Sequence, residues 1–157
     1  MSFAEKRLWI ELAASLAVWG VYFTRLIGWI DAGGLQDPEF AATMGGHFAL
    51  AVAAGVAIRV VLSLIARRVT PRAELRVRDE REDLAALRAT FAGHALLGGL
   101  VLGVAAVGYV AGVTGHVDLV PISAEGMVVL ANLTLGALVQ AELLRLGVNI
   151  VLLRRPG

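Results

Sequence analysis

Among the ionisable residues inside long apolar stretches of this chain, five draw attention: Glu11, Arg59, His94, Glu142 and Arg145. Carboxylates and an imidazole in such positions can carry protons, and arginines can balance them. Charge placed in a hydrocarbon setting is costly, so each such residue needs a partner or a task. Counting 1.5 Å per helical residue from one membrane face puts Glu11 about 5 Å deep, Arg59 and His94 about 10 Å, Arg145 about 12 Å and Glu142 about 16 Å. The expectation is an intramembrane polar cluster in one half of the bundle, with Arg59 or Arg145 beside Glu142 and Arg59 beside Glu11. Two uses stay open. The cluster could be glue between helices, its arginines snorkelling toward the interface. It could also be a proton- or substrate-coupled site built on Glu11, His94 and Glu142.

The histidines do not form an obvious metal or haem site. His47 comes out about 27 Å from that same face. It is too far from His94 in depth for both to ligate one haem. His47 and His116 share the other side with Glu39 and Asp118. That set could hold a divalent ion, but solvated interface residues account for it as well. No metal and no cofactor is expected. The chain contains no cysteine, which excludes disulfides, thiolate catalysis and iron–sulfur clusters. It shows neither a Ser/His/Asp arrangement nor a Gly-rich phosphate loop, so the expectation is a protein that is not an enzyme.

The elements that carry these residues follow from hydropathy. The 157 residues are 58% hydrophobic, against roughly half for a soluble domain. The mean hydropathy is +0.76. The excess lies in four blocks, which predicts an all-α integral membrane four-helix bundle forming a single domain. The spans are expected at about 8–30, 40–66, 84–113 and 122–153. Trp9 and Trp29 lie about 30 Å apart along the first, the spacing of two interfacial aromatic belts. A cleaved signal peptide does not fit that stretch, which is too long and lacks a small-residue cleavage pattern. Asp37-Pro38-Glu39 reads as a helix start, with an N-cap, an N1 proline and a first-turn acid. Asp79 with Glu82 reads as a capping box.

Orientation follows from the basic residues. Arg67, Arg68, Arg72, Arg76, Arg78, Arg81 and Arg88 surround the middle loop. Lys6 and Arg7 lie near one terminus, Arg154 and Arg155 near the other. The two remaining loops hold acids and a histidine: Asp31, Asp37 and Glu39 in one, His116, Asp118 and Glu125 in the other. The positive-inside rule then places both termini and the loop at 67–83 in the cytoplasm.

The third span carries Gly99/Gly103 and Gly108/Gly112, two small-xxx-small pairs that permit close helix approach. They are expected to pack within the bundle, with Gly45 and Gly46 as candidate partners, or to form a homodimer seam. The loop at 67–83 is too short for a domain. Its mixed signs speak against direct nucleic-acid binding, which needs an uncompensated basic patch. It can set topology, meet anionic lipid, or dock a cytoplasmic protein.

Arg78-Asp-Glu-Arg-Glu-Asp83, leading through Thr90 into a span, resembles the DER segment of the DUF2178-type small uncharacterised bacterial membrane proteins. Ala141-Glu-Leu-Leu-Arg145 and Asn149 through Arg155 resemble that family's last span and basic tail. The similarity covers roughly the second half of the chain. It implies a multi-pass protein of the bacterial inner membrane with no established activity. It also implies a cytoplasmic partner, such as a helix-turn-helix regulator, meeting Asp79, Glu80, Arg81 and Glu82. The expected function is therefore regulatory or interactive. The alternative is a small dimeric transporter or channel coupled through Glu142, His94 and Glu11.

Overall fold

A computed structural model of the chain describes residues 3–37, 39–69, 80–113 and 124–154. It is all-α. The helices are α1 (Phe3–Asp31), α2 (Phe40–Val69), α3 (Glu80–Val113) and α4 (Ala124–Arg154), with a short 3₁₀ turn at Gly34–Gln36. All four helices are long and apolar enough to cross a membrane. The chain is thus a multi-pass membrane protein built as a four-helix bundle.

Local chemistry fixes the connection between α1 and α2. Gly33 adopts the left-handed conformation (φ 83°) that ends α1 and that glycine adopts without steric cost. The 3₁₀ turn then folds under Trp29. A Cβ on Gly34 would collide with the Trp29 indole. Asp37 Oδ1 accepts the backbone N–H of Glu39 at 2.9 Å, satisfying one of the orphan donors at the start of α2. The 3₁₀ turn itself has no counterpart in the sequence expectation. At the other loop, α3 begins at Glu80, four residues before the expected span. Its first turn carries Glu80, Glu82 and Asp83, which suits the positive end of the helix dipole.

The helices are not equally buried. α1 lies at the centre, packed on both α2 and α4, and α2 also touches α4. α3 packs mainly on α4. The rest of α3 faces outward: Phe91 and Tyr109 are each 77% exposed. Two apolar cores hold the central helices. Tyr22, Leu26, Phe40 and Met44 form one, and Leu8, Leu146 and Ile150 the other. The first is reinforced by edge-on aromatic pairs, Trp19–Tyr22 at 5.9 Å and Trp29–Phe40 at 5.6 Å. Within it the Tyr22 hydroxyl donates to Asn132 Oδ1 at 2.6 Å, joining α1 to α4. Asn132 Nδ2 donates in turn to the Val128 carbonyl at 2.8 Å.

The glycine expectation needs correction. Gly99 and Gly103 are exposed, and a Cβ added at either meets nothing within 4 Å. Gly45 and Gly46 likewise have open space. None of these four packs inside the bundle. The glycine that admits close approach is Gly93, where a Cβ would stand 3.0 Å from the Ala141 carbonyl oxygen and 3.1 Å from Arg145 Cβ. The surroundings of Gly108 and Gly112 lie outside the described residues.

Candidate functional site

α1, α2 and α4 bring four of the five expected cluster residues into the same half of the bundle. Glu142 and Arg145 are three residues apart on α4, so they share a face. Arg145 Nε and Nη2 donate to Glu142 Oε2 and Oε1 at 2.8 and 2.7 Å. This is a bidentate fork, the strongest form of carboxylate–guanidinium contact. On α1, Arg7 Nε lies 3.2 Å from Glu11 Oε1, one turn away. Arg59 on α2 takes neither acid as a direct partner. Its Nη2 donates to Ser15 Oγ at 3.0 Å. Ser15 is buried on α1, only 4% exposed.

The pairs are coupled across helix boundaries. Arg59 attracts Glu142, and Glu11 attracts Arg145. Arg59 also shares a cleft with Arg7 and Glu11, so arginines and glutamates are interleaved in this half of the bundle. Three arginines against two glutamates leave the set one positive charge in excess. Mixing opposite charges in this way is what a low-dielectric medium demands, because an uncompensated charge there is far more costly than in water. Ser15 offers the surplus cation a neutral acceptor.

Two clefts open beside Arg59. One, of about 190 Å³, is lined by Ala14, Ser15, Trp19, Ala51, Gly55 and Arg59 among others. The other, of about 30 Å³, is bounded by Arg7, Glu11, Arg59 and Ser63. Neither is lined by Glu142 or Arg145.

His94 does not join the cluster. It is exposed on α3, and its Nδ1 lies 2.9 Å from the Thr90 carbonyl on its own helix. The reason is rotational. Gly93, the preceding residue, is the one turned onto α4, and one residue further on is about 100° round the helix. A depth estimate cannot register that angle.

A further ion pair joins the two ends of the chain. Arg154 Nε donates to Glu5 Oε1 at 2.6 Å, and the Arg154 guanidinium stands 5.5 Å from the centre of the Trp9 ring. The sequence reading left Glu5 out, because it precedes the apolar stretch. It also left out Arg25, an arginine at the opposite end of α1, along with Ser15, Tyr22 and Asn132. A polar residue at helical spacing among apolar neighbours was the available signal for the last three.

Of the expected partner-contact residues, Glu80 and Arg81 are exposed at the start of α3, and Glu82 is partly buried. Asp79 lies outside the described residues, as does His116. His47, considered above for a divalent ion, has Trp29 for a neighbour, with ring centroids 6.3 Å apart. Among the described residues no group of three or more His, Asp or Glu side chains could hold a metal ion.

Compared with known proteins, the chain matches no family model, no curated protein and no solved structure.

Proposed function

We propose that this chain is a non-enzymatic regulatory or interaction protein of a bacterial inner membrane. Both termini and the segment between α2 and α3 face the cytoplasm, and that segment is offered to a soluble partner. The single observation that carries this reading is the engagement of the intramembrane charges with one another. Glu142 spends both carboxylate oxygens on Arg145. Such a carboxylate is a structural tie between charges and a poor candidate for repeated proton exchange. What is left for outside contact is the densely charged stretch from Arg67 to Arg88, which includes Asp79, Glu80, Arg81 and Glu82. The resemblance to DUF2178-type proteins makes a helix-turn-helix regulator the first partner to try.

The test is a photo-crosslinking residue placed at position 79 or 80 in growing cells. The reading expects one discrete adduct, lost when Arg81 and Glu82 are replaced by Ala. No discrete adduct at either position contradicts it.

A second reading has one observation in its favour. The clefts beside Arg59 give small polar species a place next to the charge cluster. On that reading the protein is a small proton- or ion-coupled transporter using Glu142, Glu11 and His94. It works as a homodimer through the outward Gly99/Gly103 face. Glu142→Gln would then abolish pH-dependent uptake into vesicles, whereas the interaction reading leaves such uptake absent in both forms.

A further inference from the structure

The half of the bundle away from the termini holds a groove of about 340 Å³ between α1 and α2. That volume is in the range of small-molecule sites, about 300–1,000 Å³. Its walls include Val21, Leu50, Ala51, Ala54 and Ile58, all apolar. Arg25 and His47 also line it. The register of the two antiparallel helices is fixed by the Arg59–Ser15 hydrogen bond and by the Val18–Gly55 contact. That register brings Arg25 level with His47, at the end of the groove near the α1–α2 connection.

Of these two polar residues, only Arg25 is open to the groove. Arg25 is exposed and makes no ion pair among the described residues. His47 lines the groove, but its Nδ1 is covered by protein atoms and has no hydrogen-bond partner among the described residues, so it is closed to a ligand. A guanidinium exposed at the end of an apolar groove calls for an anionic counter-group. The acids at this end do not supply one. Asp31, Asp37 and Glu39 are absent from the groove lining. Asp31, six residues beyond Arg25, sits about 120° round the helix from it.

Length decides the class of ligand. The groove runs from Ala17 to Arg25 on α1 and from His47 to Ile58 on α2, about 12 Å and about 16 Å. Half of a ~30 Å hydrocarbon core is about 15 Å. The trough therefore matches one leaflet, with its cationic end at the headgroup level.

We propose that this groove is a binding site for an anionic phospholipid. One acyl chain lies along Ala54 and its apolar neighbours, and the phosphate meets the Arg25 guanidinium. A guanidinium suits that role, because its planar fork matches phosphate oxygens.

Native mass spectrometry of the purified full chain tests this, using phosphatidylglycerol and phosphatidylcholine of identical acyl chains. The expected result is one retained phosphatidylglycerol per chain, preferred about fivefold over phosphatidylcholine, the size of one arginine's contribution at a membrane surface. Arg25→Gln removes the preference and Arg25→Lys keeps most of it. Ala54→Phe fills the trough without touching charge and lowers retention of phosphatidylglycerol. Equal retention of the two lipids by the unmodified chain overturns the proposal. So does a preference that survives Arg25→Gln. Displacement of the lipid by inorganic phosphate, with Ala54→Phe having no effect, would show a free-anion site and overturn it too. If Arg25→Gln fails to fold, the unmodified chain and Ala54→Phe still decide.

Discussion

Gly93 of α3 and Arg145 of α4 approach so closely that a Cβ on the glycine would stand 3.1 Å from Arg145 Cβ. One contact thus ties the peripheral helix to the residue that anchors the charge cluster. The absence of a side chain at position 93 lets α3 lie against the same turn of α4 from which Arg145 reaches Glu142.

Gly93→Leu should therefore push α3 away from α4. Overpacking of this kind costs about 1–3 kcal/mol. Gly99→Leu and Gly103→Leu project into open space and should stay within about 0.5 kcal/mol. Unfolding in mixed micelles measures all three. If the outward glycines form a homodimer seam, Gly99→Leu should also shift the chain to monomer by crosslinking without changing its unfolding.

Glu142→Gln leaves Arg145 without its ion-pair partner. A loss of about 1.5–3 kcal/mol is expected, the range for hydrogen bonds to charged groups. Glu142→Gln combined with Arg145→Gln should cost less than the sum of the two single changes, because the second removes the cation that the first strands. A double-mutant cycle in the same unfolding assay reads the coupling. An additive result would mean that the fork contributes nothing.

Tyr22→Phe should cost about 0.6–1.7 kcal/mol, the range measured for hydrogen bonds between membrane helices. It deletes the donor to Asn132 Oδ1 and leaves the aromatic packing in place. Asn149 provides the opposite case. It is buried at 6% exposure, and its Oδ1 has no hydrogen-bond partner among the described residues. Asn149→Leu should be neutral or stabilising, since it removes a polar atom whose burial is uncompensated. A destabilised Asn149→Leu would mean that a partner to that oxygen exists in the membrane.

The spans were legible because lipid selects for long apolar runs, and no tertiary detail is needed to see them. The start of α2 was legible for a local reason: Asp37 caps within two residues of itself. The charge cluster was legible in depth only. Depth grouped Glu11, Arg59, Glu142 and Arg145, which α1, α2 and α4 carry in the same half of the bundle, and also admitted His94, which the α3 rotation turns outward. Depth also suggested Arg59 with an acid, where Ser15 is its hydrogen-bond partner. The expectation that Gly99 and Gly103 pack inside the bundle misled for a related reason. A small-xxx-small pattern marks a face that can be approached closely without saying which neighbour comes to it. In α3, Gly93 turns toward α4 while Gly99 and Gly103 do not. Arg25 and His47 were invisible as a pair, since only the α1–α2 register brings them level.

Four spans with the arginine-rich segments on one side of the membrane underlie the placement of every charge described above. The chain has no cysteine of its own, so single cysteines at Gln36 and Glu74 can be read without background. A membrane-impermeant maleimide applied to intact cells should label Gln36→Cys and spare Glu74→Cys until the membrane is opened. Labelling of both positions from the same side would contradict the layout and the placement of the charge cluster with it.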